Sequence, residues 1–195
     1  VIVQFAVLGG LGYLALRALR SEEPEFRPAP AEPPFPRSRP TPDNTLVFGD
    51  SQAPRVQAAG KSFLGSARYL GGSGIDWLLG EVASYTFTTD GVQHVVVVTG
   101  VNDLYPAGAA ARAKVAKLVT ELRRIFRGCQ VYYVIGSWGW GGASSKTEED
   151  AYAYAMLFAE QGAVVVEPPI GPGDPHADKA SYREIAGALE KAMGA

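Results

Sequence analysis

A chain of 195 residues, 47% hydrophobic and 19% charged, is long enough for one domain with a substantial core. Its formal net charge of −2 leaves no basic excess to track a phosphate backbone, so nucleic acid is not an expected partner. The single cysteine, Cys129, excludes an internal disulfide and a cysteine-clustered metal site, and two histidines, His94 and His176, cannot build a His-rich centre.

Residues 1–16 carry no charge, and Arg17 and Arg20 follow them. The run is short of the roughly 20 apolar residues of a full span. A snorkelling arginine extends it to about 19. No basic stretch precedes it, as a secretory leader would require. Residues 1–20 are therefore expected to be a helix that crosses a membrane or docks on an apolar protein surface. That expectation places the protein at a cell envelope or in a membrane-containing virion. Residues 21–44 hold eight of the 14 prolines. Such a stretch disfavours helix and sheet and forms an extended, stiff linker. Ordering it takes a surface, so other protein chains are expected along it, with Phe26 and Phe35 as contact candidates.

The globular domain is expected over 45–195. Thr45-Leu46-Val47-Phe48 reads as a buried strand that runs into Gly49, Asp50 and Ser51. A helix over 52–63, broken in character by Pro54 and Gly60, and a weak strand near 67–70 follow. Gly71 to Gly74 form a turn before a short helix over 75–84. His94-Val95-Val96-Val97-Val98-Thr99 is continuously apolar after its first residue, as a central parallel strand is when both faces are covered. Helix 109–127 carries a stripe of Val115, Leu118, Val119, Leu122, Ile125 and Phe126. Gly128 stops it before strand 130–135. Helix 147–161, capped by Thr147 with Asp150, strand 163–166 and an amphipathic helix over 178–193 complete the chain. Short valine-rich strands alternating with helices predict a three-layer α/β/α sandwich on a parallel sheet.

In such a fold the site lies beyond the carboxyl ends of the strands. That rule selects Gly49-Asp50-Ser51, Gly71-Gly72-Ser73-Gly74, Gly100-Val101-Asn102-Asp103, the loop 136–146 and the stretch 167–177. Together they offer a serine, an imidazole, a carboxylate and two kinds of oxyanion donor, the set that acyl transfer needs. A serine on a strand-to-helix turn is equally suited to cap that helix. His94 opens a core strand far from its carboxyl end and is expected to be structural. Asp50 and Asp103 are expected to cap helices or hold loops. Trp138 and Trp140, in the loop 136–146, are suited to a substrate's sugar ring or acyl group, to a neighbouring protein, or to packing of the loop itself.

These blocks resemble those of the SGNH, or GDSL-like, hydrolase superfamily over about 150 residues. Gly49, Asp50 and Ser51 match its first block, and Gly100, Val101, Asn102 and Asp103 match its Gly-x-Asn-Asp block. His176, with Tyr182 at the family's spacing, resembles its last block. The resemblance implies a flavodoxin-like SGNH fold with Ser51 as nucleophile and His176 as base. It implies an oxyanion hole of the Ser51 amide, the Gly72 or Gly74 amide and the Asn102 side chain. No cofactor and no metal are implied. One position departs: Gly173 stands three residues before His176, where the family has aspartate, and Asp174 stands two before it. Asp174 is the candidate partner for the histidine. The implied function is an esterase or deacetylase acting on an acyl or acetyl ester of a glycan or lipid. The alternative is a catalytically weak or inactive domain of this fold, serving as a structural or adaptor component of a membrane-associated assembly or virion.

Overall fold

The computed structural model describes residues 38–139, 146–168, 172–173, 176 and 179–195. The chain divides into two units, Val1–Pro30 and Ala31–Ala195; the first, with the expected helix over 1–20, and most of the linker lie outside the described residues. Within the second, five strands and five helices alternate: β1 (Thr45–Gly49), α1 (Ala53–Ala59), β2 (Ala67–Tyr69), α2 (Ile75–Ala83), β3 (His94–Val98), α3 (Ala109–Ile125), β4 (Gln130–Val134), α4 (Glu148–Ala159), β5 (Val164–Val166) and α5 (Lys179–Met193). All strand pairs are parallel, in the order β2-β1-β3-β4-β5. The expected three-layer sandwich is the observed fold.

The side chains of β3 explain the layers. Val95 and Val97 point to one face, where they join Phe48, Val131 and Tyr133 beneath α2, α3 and α4. Val96 and Val98 point to the other, where they join Val47, Tyr132, Val134 and Val166 beneath α1 and α5. A strand covered on both faces has no polar side to alternate with. The expected stripe of α3 is the buried one, and Thr147 and Asp150 form a reciprocal capping box at the start of α4.

Two boundaries differ from expectation. Helix α1 ends at Ala59 because the chain turns at Gly60, and the apolar residues beyond it, Phe63 and Leu64, enter the core from that turn instead. The end of the proline-rich stretch is not a free spacer. Ser38 donates from its amide and its hydroxyl to Gln93 Oε1, and the Asn44 side-chain amide donates to Ser38 Oγ and to the Arg39 carbonyl. His94, buried at the start of β3, lies 2.9 Å from the Ser38 carbonyl through Nε2 and 3.4 Å from the Tyr132 hydroxyl through Nδ1. It anchors this segment at the edge of the sheet opposite the serine block, a structural role as expected.

The expected membrane-anchored location requires correction. Among the described residues no helix is long and apolar enough to cross a membrane. The longest of these, α3, has 17 residues, fewer than the roughly 20 that a span needs, and carries Arg112, Lys114, Lys117, Glu121, Arg123 and Arg124 on one face.

The glycine of the first block is a steric requirement of β1–β3 pairing. Gly49 lies opposite Val98, and a Cβ there would collide with the Val98 carbonyl and come within 3.0 Å of the Val98 Cβ. Gly80, exposed in α2, has nothing within 4 Å of its Cβ position. Gly49→Ala is expected to lose about 3 kcal/mol of stability, and Gly80→Ala to gain about 0.5–1 kcal/mol, both read by urea denaturation.

Candidate active site

The sheet order reverses between β1 and β3: from β1 the chain goes outward to β2, and from β3 it goes the other way to β4 and β5. Loops at the carboxyl ends of these two strands therefore diverge and leave a crevice. Ser51 and Asn102 stand at its two sides.

Ser51 follows β1 directly, half-buried at the turn before α1. Its Oγ lies 2.7 Å from His176 Nε2, across 125 residues of sequence. That is hydrogen-bond distance for a nucleophile and its base. Two hydrogen bonds tie this part of the chain, one at Gly173 and one at His176 itself. The Gly173 amide donates to the Trp138 carbonyl at 2.9 Å, and Arg55 of α1 donates to the His176 carbonyl at 3.1 Å.

The glycine loop after β2 lies against the serine. A Cβ at Gly71 would sit 3.9 Å from the Ser51 Cβ. Gly72 takes φ +72 with open space around it, a conformation favoured by glycine. Ser73 closes the turn, donating from its amide and its hydroxyl to the Leu70 carbonyl. Among the described residues the amides of Ser51, Gly72 and Gly74 have no acceptor. Amides without an acceptor are suited to receive an oxyanion.

Asp50, 1% exposed, binds the loops together. Its Oδ1 accepts from the Gln52 amide at 2.9 Å, and its Oδ2 accepts from Asn102 Nδ2 at 3.2 Å. The second hydrogen of Asn102 Nδ2 goes to the Ser73 carbonyl at 3.0 Å. In this arrangement Asn102 braces three loops with the amide that the sequence reading aims at an oxyanion. Asp103 accepts from the Ile75 amide at the start of α2, and a side chain at Gly74 would collide with it. Both aspartates thus hold loops and helix starts, as their positions predict. Leu104 and Tyr105, next in the chain, take φ of 55° and 45°. Such backbone is uncommon for bulky residues and marks local strain. The Tyr105 hydroxyl, buried, donates to the Ser137 carbonyl and fixes the turn.

Of the remaining sequence candidates, Trp138 is partly buried against the core, and Asp174 and Trp140 lie outside the described residues. Among the described residues no group of acidic, histidine and cysteine side chains is arranged to hold a metal. Sequence reasoning missed Arg55, because a charged residue on an exposed helix face carries no signal of what it reaches in the fold.

No protein-family model matches the chain, and no curated protein sequence matches it. Solved structures do. A carbohydrate esterase family 2 enzyme from Corynascus thermophilus (Myceliophthora fergusii) superposes with a TM-score of 0.62 at 14% identity, over 82% of this chain and 68% of that one. The catalytic domain of peptidoglycan O-acetyltransferase A from Streptococcus pneumoniae gives 0.54 at 17% identity, over 80% and 94%. A lipolytic G-D-S-L protein from Veillonella parvula gives 0.54 at 14% identity, over 75% and 96%. The chain has the SGNH, or GDSL-like, fold. At these identities the fold is what is shared.

Burial raises the Asp50 pKa from 3.8 to about 6, against the lowering effects of the Gln52 amide and the His176 charge. The folded protein therefore binds this proton more tightly than the unfolded chain. The resulting stability is fully present below about pH 4 and is lost as pH rises through about 6. Asp50→Asn keeps an acceptor for Gln52 and removes the titration. The stability of the native protein relative to this variant is expected to fall by about 3 kcal/mol between pH 4 and pH 7.5, measured by chemical denaturation.

Proposed function

We propose that the protein is a serine-dependent carboxylic-ester hydrolase. The observation that carries this reading is the 2.7 Å separation of Ser51 Oγ and His176 Nε2, at the carboxyl edge of a parallel sheet and with the glycine loop after β2 against the serine. In this reading Ser51 Oγ attacks the acyl carbon while His176 Nε2 takes the hydroxyl proton. The carbonyl oxygen gathers negative charge and is received by the amides of Ser51 and of Gly72 or Gly74. Asn102 joins them by exchanging its bond to the Ser73 carbonyl for one to the oxyanion. His176 then gives its proton to the departing alcohol, leaving an acyl group on Ser51. A water attacks the acyl carbon, His176 takes its proton, and release of the acid returns the hydroxyl to Ser51.

The substrate class follows from the fold's relatives. The similar structures include a carbohydrate esterase, an acetyl xylan esterase from Geobacillus stearothermophilus and a peptidoglycan O-acetyltransferase. These support a small acyl group, acetyl above all, on a carbohydrate hydroxyl. Gly173, with φ +131, favours a second reading. It stands where the family places aspartate, which suits a weak or inactive domain kept as a scaffold. Activity separates the two. The native chain is expected to hydrolyse a short-chain aryl ester, and Ser51→Ala and His176→Ala to lose at least about 10³-fold in kcat/KM. A fluorophosphonate is expected to label the native protein at Ser51 and to leave Ser51→Ala unlabelled. Equal hydrolysis by native protein and Ser51→Ala would remove Ser51 as nucleophile.

A further inference from the structure

We infer that Arg55 is a positioning residue for the base, holding the histidine loop to the helix that follows the nucleophile; this rests on the esterase reading above. Helices α1 and α5 lie on the same face of the sheet, where Ala53 and Val56 join Tyr182, Ile185 and Leu189 in one cluster. Arg55 stands in the first turn of α1, four residues after Ser51, with its backbone fixed by its amide bond to the Gln52 carbonyl at 3.0 Å. Its side chain crosses the seam between the two helices. Nη1 donates to the His176 carbonyl at 3.1 Å, and the guanidinium lies 5.8 Å from the centre of the Tyr182 ring. Tyr182 is itself 5% exposed, so the ring is a fixed platform rather than a mobile one.

These contacts meet at the coordinate that the reaction needs fixed. A hydrogen bond to the backbone of His176 sets the height and tilt of the residue, while the 2.7 Å contact at Nε2 sets the ring. The Gly173 amide bond to the Trp138 carbonyl holds the chain three residues before the base. Glycine at 173, with φ +131, stiffens nothing. Arg55 adds a tie at the base itself, and it does so from the helix that begins two residues after the serine. Nucleophile and base therefore move as one body. Arginine suits this task because its planar fork can donate and lie over an aromatic ring at once. Lysine offers a point charge on a flexible stem and lacks that plane.

The test uses the full chain, an aryl acetate, and the variants Arg55→Ala, Arg55→Lys, Tyr182→Leu and Ser51→Ala. Arg55→Ala is expected to lower kcat about tenfold with KM and the thermal midpoint unchanged, since misplacing a reacting group acts on the transition state. Millimolar guanidinium is expected to restore part of that kcat in Arg55→Ala and none in Ser51→Ala. Arg55→Lys is expected to recover less than half of the loss, and Tyr182→Leu to lower kcat about threefold. The inference is overturned if Arg55→Ala keeps the native kcat, if its loss lies in KM alone, or if it tracks a fall in the thermal midpoint. Native turnover that Ser51→Ala abolishes and Arg55→Ala leaves intact removes the Arg55 role and spares the esterase reading. Absence of native turnover, or turnover that survives Ser51→Ala, removes the esterase reading and the Arg55 role with it.

Discussion

A buried carboxylate holds the site together. Asp50 is withdrawn from water and accepts one hydrogen bond from the turn that begins α1 and another from the loop after β3. An ionised oxygen in such a place strengthens the bonds it makes and penalises any arrangement that leaves it unpaired. Asn102 cannot leave Asp50 without stranding it, and through Asn102 the Ser73 carbonyl of the glycine loop is held as well. Three loops from three strands thus share one electrostatic centre. Asp103 adds a second tie, from the Asn102 loop to the start of α2.

The frame beneath these loops is steric. Two strands that must carry serine and asparagine side by side have to pair closely up to their last residue. Gly49 allows it, since a larger residue would push β1 away from Val98. The glycines and the carboxylate act at different ranges. The glycines let backbone approach backbone, and Asp50 then fixes the separation that results. Preorganised donors facing a reaction centre need both.

Much of this was legible from residues alone, and for definite reasons. The valines of β3 announce a strand covered on both faces, and the stripe of α3 announces the layer above it. The blocks at residues 49, 100 and 176 fall at strand ends, where a parallel sheet gathers them. What stayed hidden depends on long-range contact. A proline-rich run reads as a spacer until Gln93 and His94 are seen to hold Ser38. The two acceptors that Asn102 meets within the fold, Asp50 and the Ser73 carbonyl, carry no sequence signal either. Helix α1 reads longer than it is, because Phe63 and Leu64 continue its apolar pattern after the chain has turned at Gly60. No local rule gives Arg55, whose partner lies 121 positions away.

That separation has a consequence for biosynthesis. The serine emerges early from the ribosome and the histidine late, with 125 residues between them. Pairings so distant in sequence are formed slowly and late in folding. A nascent chain that carries β1, β2 and β3 already displays the serine and the glycine loop, yet it lacks His176. The Ser51–His176 pair of the proposed mechanism forms when α5 docks against α1, a step that also completes the hydrophobic cluster on that face. In the proposed esterase the serine therefore has no base until the last layer of the domain closes.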